Sequence, residues 1–192
     1  MALGKQAKVL TRQQQDAVLS YLATTRHAVR NRVVFLLSVK AGLRAKEIAS
    51  LTWAMVTDAN GEIGDAVSLQ DKASKGKSGG IVWMNKGLKA ALVDLREQGL
   101  RGDFVITTER SKAASAQSIV NMLWCWYRDL GFDGCSSHSG KRTLITIAAR
   151  RISAVVGSMH DVQLLARHSS PNMTMRYVDA DAEAMRRVVD LI

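Results

Sequence analysis

The stretch from Ala28 to Ala41 constrains the fold more than any other part of the chain. Its Val33, Val34, Phe35, Leu36, Leu37 and Val39 put apolar side chains around most of a helix's circumference, so this helix belongs inside a core. Gly42 follows as a natural C-terminal stop. Upstream, Thr11 stands three residues before Gln14 and opens a first helix carrying Ala17, Val18, Leu19, Tyr21 and Leu22. A short third helix at about 45–53 turns Ile48, Ala49 and Leu51 inward.

From Asp58 to Met84 the texture changes. Asn60-Gly61 and Gly64 signal turns, Ala66-Val67-Ser68-Leu69 alternates, and Ile81-Val82-Trp83-Met84 is β-prone. The spacing predicts a small antiparallel sheet with a long glycine-rich tip that carries Lys72, Lys75 and Lys77. Helical patterns return at about 86–98, 115–130, 139–152, 161–167 and 181–191, with Pro171 in a short loop. Trp124, Trp126 and Tyr127 fall at helical spacing with Ile119, Met122 and Leu123 and read as core, not as a base-stacking platform. The expected fold is mainly α with a small antiparallel β-sheet: one domain over residues 11–192, preceded by a flexible basic arm over residues 1–10.

The 192 residues are 47% hydrophobic, which excludes a disordered polycation, and carry a formal net charge of +10. That charge selects a negative partner without naming it: nucleic acid, an anionic membrane and an acidic protein all fit. Cys125 and Cys135 form neither a zinc-knuckle pattern nor a disulfide framework, which suits a reducing interior. No apolar run approaches a membrane span. A soluble cytoplasmic protein is expected.

Five separated pieces carry chemistry. Gly42-Leu43-Arg44-Ala45-Lys46-Glu47 places Glu47 about one helical turn from Arg44, where a carboxylate can hold a guanidinium in position. The three hairpin lysines form either a solvated face or a reach toward an anion. Ser136-Ser137-His138-Ser139-Gly140-Lys141-Arg142 puts a histidine and two cations at a helix start, where backbone N–H groups already favour an anion. The last two are His168, after Leu164-Leu165-Ala166-Arg167, and Tyr177, after Met173-Thr174-Met175-Arg176.

Taken in order, Gly42-Leu43-Arg44-x-x-Glu47, a following hairpin lysine, the helix start at His138 and Leu165-x-x-His168-x8-Tyr177 resemble the tyrosine recombinase (phage integrase) family over about residues 10 to 190. The resemblance implies the catalytic-domain fold of DNA breaking and rejoining enzymes, with a mechanism shared with type IB topoisomerases. Tyr177 would attack a scissile phosphodiester to form a 3′-phosphotyrosyl bond and release a 5′-hydroxyl. Arg44 would hold a non-bridging oxygen, with Glu47 supporting it. His138 would shuttle a proton, and His168 would donate a hydrogen bond to the phosphate. Lys75 aligns best as the general acid for the leaving 5′-oxygen, with Lys72 and Lys77 as alternatives. Lys72, Lys77 and Arg176 count among the DNA-binding residues.

No metal and no cofactor are implied, because the covalent bond conserves the phosphodiester energy. Double-stranded DNA is the implied partner, with possible accessory DNA-binding proteins and no membrane. The apolar residues of 180–192 imply either a helix packed on its own domain or one docked on a neighbouring copy. A prokaryotic, phage or plasmid-type setting is implied, with the protein on the nucleoid when bound.

Two departures from the family pattern stand out. Where the family has His-x-x-Arg, position +3 from His138 is Lys141, with Arg142 at +4. On a helix these lie about 60° to one side and about 40° to the other of His138, so both can share its face. Lys141 serves as a point charge, or Arg142 swings in, or the chain is catalytically crippled. The other departure is the short stretch before the first helix: no separate N-terminal core-binding domain is expected in these residues, as in a naturally short recombinase or an excised fragment, and weak, salt-sensitive DNA binding is expected with it. Two other functional classes compete with a recombinase. One is a non-catalytic or weakly catalytic DNA-binding accessory protein of the same fold. The other, a module for acidic proteins or membranes, leaves Arg44, His138, His168 and Tyr177 unexplained.

Overall fold

The computed structural model describes residues 6–70, 79–99, 102–109, 111–178 and 182–190, with side chains of the last stretch from 185 onward. Lys72, Lys75 and Lys77 therefore lie outside the described residues. The chain forms two compact units, Met1–Leu144 and Ile145–Ile192.

The first unit is built around α2 (Ala28–Val39), in which every residue from Val33 to Val39 is buried. Its end is closed by Gly42 in the left-handed region at φ 62° and by the Leu43 N–H donating to the Leu37 carbonyl at 3.0 Å. Helix α1 (Arg12–Ala23) packs on α2 after the expected capping box. Thr11 Oγ1 accepts from the Gln14 N–H at 3.1 Å, and Gln14 Oε1 accepts from the Thr11 N–H at 2.9 Å. Helix α3 (Ala45–Ala49) is shorter than its apolar pattern suggests. The chain after it is drawn into long-range pairing: Trp53 N–H donates to Asp103 and Val105 N–H to Leu51, each at 2.9 Å.

Strands β1 (Ala66–Leu69) and β2 (Gly80–Trp83) form the expected antiparallel pair, with Val67 opposite Val82. Val67, Leu69 and Val82 face the core, while Ile81 and Trp83 face outward. Helix α4 (Lys86–Glu97) packs on α2, and α5 (Ala116–Asp129), capped by Ser115, packs on α3. In α5, Trp126 and Tyr127 join the core as expected, but Trp124 does not. It is 52% exposed with the Arg128 guanidinium 4.8 Å from its ring centroid. The buried stripe is Ile119, Leu123, Trp126 and Tyr127, and Trp124 falls to one side of it.

The expected loose arm is docked over its described part. Lys8 N–H donates to the Gly134 carbonyl at 3.0 Å, Leu10 N–H to Thr143 Oγ1 at 2.8 Å, and the Leu10 side chain is buried.

Helix α6 (Ser139–Arg151) spans the boundary of the two units along the chain. In the second unit, α7 (Met159–Ala166) begins two residues before its expected start because Ser158 and Asp161 cap each other. Pro171, expected in a loop, instead opens α8 (Pro171–Met175), occupying a first-turn position where its missing N–H costs nothing. Helix α9 (Ala182–Val189) follows. The small core of this unit gathers Ile145, Val162 and Ala166, with Tyr177 packed against it.

Candidate active-site elements

In the first unit, Arg44 is the N-cap of α3 and Glu47 is its third helical residue. Glu47 Oε2 accepts from the Arg44 backbone N–H at 2.7 Å, and Oε1 lies 3.3 Å from Arg44 Nη1. The Glu47 side chain is almost wholly buried, whereas that of Arg44 keeps 31% exposure. The carboxylate thus grips the arginine at both its backbone and its head, leaving part of the arginine side chain open to solvent.

The start of α6 reaches the Arg44 loop by a close backbone approach. A Cβ on Gly140 would lie 2.0 Å from Ser38 Oγ and 2.7 Å from the Ser38 carbonyl carbon, so only glycine fits against the end of α2. On the same face of α6, a Cβ on Gly42 would meet Leu144 Cδ2 at 2.8 Å and Lys141 Cγ at 3.7 Å. Lys141 is buried and packed beside Gly42, two residues before Arg44. The Arg142 guanidinium donates to the Gln6 side-chain oxygen. Of the two cations at +3 and +4 from His138, Lys141 is the one shown beside Gly42, at the start of the Gly42-Leu43-Arg44 turn. His138 is exposed, its N–H donating to Ser136 Oγ at 3.3 Å.

In the second unit, His168 and Tyr177 lie together, their ring centroids 5.4 Å apart and their planes inclined by 29°. His168 is buried, with Nδ1 2.9 Å from the hydroxyl of buried Thr174. Its backbone is fixed on both sides. The His168 N–H donates to the Gln163 carbonyl, and Gln163 Nε2 donates to the His168 carbonyl, each at 3.1 Å. Arg167, in the left-handed region at φ 53°, turns the chain from α7 into this position. The Tyr177 N–H donates to the Thr174 carbonyl at 2.9 Å, and Thr146 Oγ1 donates to the Tyr177 carbonyl at 3.2 Å. Arg176 is exposed beside it.

Sequence reading missed Thr146, Thr174, Ser38 and Gly140. Glycine in the first turn of a helix is a signal of close backbone approach, so Gly140 could have been found. Nothing local marks the other three. Among the described residues, no group of three or more His, Cys, Asp or Glu side chains is placed to hold a metal ion, and no helix is long and apolar enough to cross a membrane.

The phage integrase family matches this sequence over residues 8–184. The chain belongs to the phage integrase family. No curated protein matches it. Solved structures of this family's fold superpose well at low identity. The XerA recombinase is 17% identical, with a TM-score of 0.73 over 100% of this chain and 65% of its own. The Tn1549 transposon integrase in complex with a circular intermediate DNA is 17% identical, with a TM-score of 0.73 over 99% of this chain and 67% of its own. A lambda integrase dimer bound to a COC′ core site is 17% identical, with a TM-score of 0.70 over 93% of this chain and 49% of its own. This phage integrase family member thus has the tyrosine recombinase catalytic-domain fold and spans about two thirds or less of those chains.

Proposed function

We propose that this chain is the catalytic domain of a site-specific DNA recombinase or integrase that acts through a 3′-phosphotyrosyl intermediate. The observation that carries the reading is the Tyr177–His168 pair, a phenol stacked on a buried imidazole and fixed through its backbone by Thr146 and Thr174. Tyr177 Oη attacks the scissile phosphorus; the P–O bond to tyrosine forms as the P–O5′ bond breaks, and the phenolic proton passes to a base, for which His138 is the candidate. Arg44 and Lys141 hold the non-bridging oxygens, and His168 donates a further hydrogen bond to them. A hairpin lysine, Lys75 ahead of Lys72 and Lys77, protonates the leaving 5′-oxygen. Rejoining is the reverse attack by a 5′-hydroxyl.

Duplex DNA as the partner is supported by the net charge of +10 and by relatives held on DNA, the Tn1549 and lambda integrases. Self-association on that DNA is supported by α9, whose Met185, Val188 and Val189 are all exposed.

Lys141 favours a second reading, a weakly catalytic or accessory DNA-binding protein of the same fold. A lysine keeps the charge but lacks the two-pronged fork, and losing a comparable transition-state donor costs on the order of 3 kcal/mol, about a hundredfold in rate. The test is covalent trapping on pooled nicked duplexes followed by denaturation. The expected result is slow formation of DNA adducts that vanish in Tyr177→Phe and rise at least several-fold in Lys141→Arg. DNA retained in a salt-dependent way, with no adduct from any variant, would select the accessory reading.

A further inference from the structure

We infer that Thr174 is a positioning residue that sets the proton on His168: its hydroxyl donates to Nδ1 and so fixes the neutral imidazole as the Nε2–H tautomer. The inference deepens the role proposed above for His168 and rests on that reading only for its kinetic consequence. The geometry itself leaves two arrangements for the 2.9 Å contact between Nδ1 and Thr174 Oγ1. Either Nδ1–H donates to the hydroxyl, or the hydroxyl donates to a bare Nδ1.

Burial separates the two. Thr174 is 1% exposed and His168 is 6% exposed, so water is not at hand to take up a stranded proton. Among the described residues the Thr174 hydroxyl has His168 Nδ1 as its single hydrogen-bond partner. If Nδ1 carried the proton, the hydroxyl hydrogen would have no acceptor, and a buried donor left unmade is costly. If Nδ1 is bare, the hydroxyl proton is used and the ring proton sits on Nε2.

The tautomer matters because a neutral histidine can donate to a phosphate oxygen only from the nitrogen that bears the proton. With Nδ1 committed to Thr174, Nε2–H is the donor, and it is a donor without needing the ring to be charged. The same threonine holds the nucleophile, since its carbonyl accepts from the Tyr177 N–H at 2.9 Å. One residue therefore ties the protonation state of His168 to the backbone position of Tyr177, within a unit whose core is small.

Nitrogen NMR of the imidazoles in the intact chain reads the tautomer directly, without DNA. The His168 signals are assigned by their loss in His168→Gln. Wild type and Thr174→Ser should show a bare Nδ1 and a protonated Nε2, and Thr174→Val a mixture of both tautomers. On nicked duplexes, Thr174→Val should form covalent adduct about tenfold more slowly at unchanged DNA affinity, the loss of roughly one hydrogen bond, and Thr174→Ser should restore the rate. A protonated Nδ1 in the wild-type chain overturns the inference, as does a Thr174→Val protein with the wild-type tautomer. If Thr174→Val does not fold, the wild-type and Thr174→Ser spectra still decide. Absence of adduct from every protein would count against the recombinase reading, while the spectra would judge the tautomer independently.

Discussion

A carboxylate can be removed from water only where donors replace the lost hydration, and Glu47 satisfies that condition partly through its own neighbour Arg44. The backbone N–H and guanidinium of Arg44 together fix a side chain that would otherwise sample many rotamers. Gly140 acts through absence of bulk, by letting the first turn of α6 rest against the Ser38 backbone. Gly140→Ala forces that turn away from α2 and should lower the unfolding free energy by about 2 kcal/mol or more, the range of overpacked cores. Gly87→Ala, whose Cβ would meet only Asn85 Oδ1 at 3.8 Å, should be neutral or stabilise by up to about 1 kcal/mol. Urea denaturation of the two variants checks the contrast. At this scale the resemblance to the recombinase family singled out Arg44, Glu47, His168 and Tyr177, and the fold brings together Arg44 with Glu47 and His168 with Tyr177. The sequence could not mark Thr146 or Thr174, because a hydroxyl acquires its meaning from a partner that the fold delivers.

Elements were legible where their signals are local. The capping box of α1, the all-round apolar α2 with Gly42 behind it, and the alternating β1 each depend on residues a few positions apart. The end of α3 depends instead on pairing with residues near 103–105, and no local pattern reports that. Pro171 is ambiguous by nature, since proline suits both a loop and the first turn of a helix. The start of α7 was hidden because its box uses aspartate at the third position. There the Ser158 N–H and hydroxyl donate to Asp161 Oδ2 at 2.7 and 2.8 Å, and the backbone hydrogen bond above all holds the Asp161 carboxyl below its usual range. A carboxyl depressed in the folded state stabilises above its unfolded value and loses that contribution as pH falls through the folded one. The Ser158 amide resonance should therefore titrate with a midpoint below 3.8, and Asp161→Asn should abolish the titration.

The two units differ in how they meet solvent. Residues up to Leu144 enclose a large apolar cluster, whereas among the described residues the unit from Ile145 buries three apolar residues and exposes Val155, Val156, Leu164, Met173 and Met175 as well as Met185, Val188 and Val189 of α9. Apolar area left in water is a common sign of a surface that another chain covers. A covered α9 is also what the proposed self-association on DNA requires. Met185, Val188 and Val189 are 58%, 56% and 70% exposed, so removing them strips little from the core of their own unit. A chain lacking residues 181–192 should accordingly keep its unfolding midpoint within a few degrees, about what a surface change costs. Its complexes on DNA should shrink to single bound copies in light scattering. A truncated chain that unfolds would place α9 against its own unit, and one that still assembles would move the interface to the exposed apolar residues of α7 and α8.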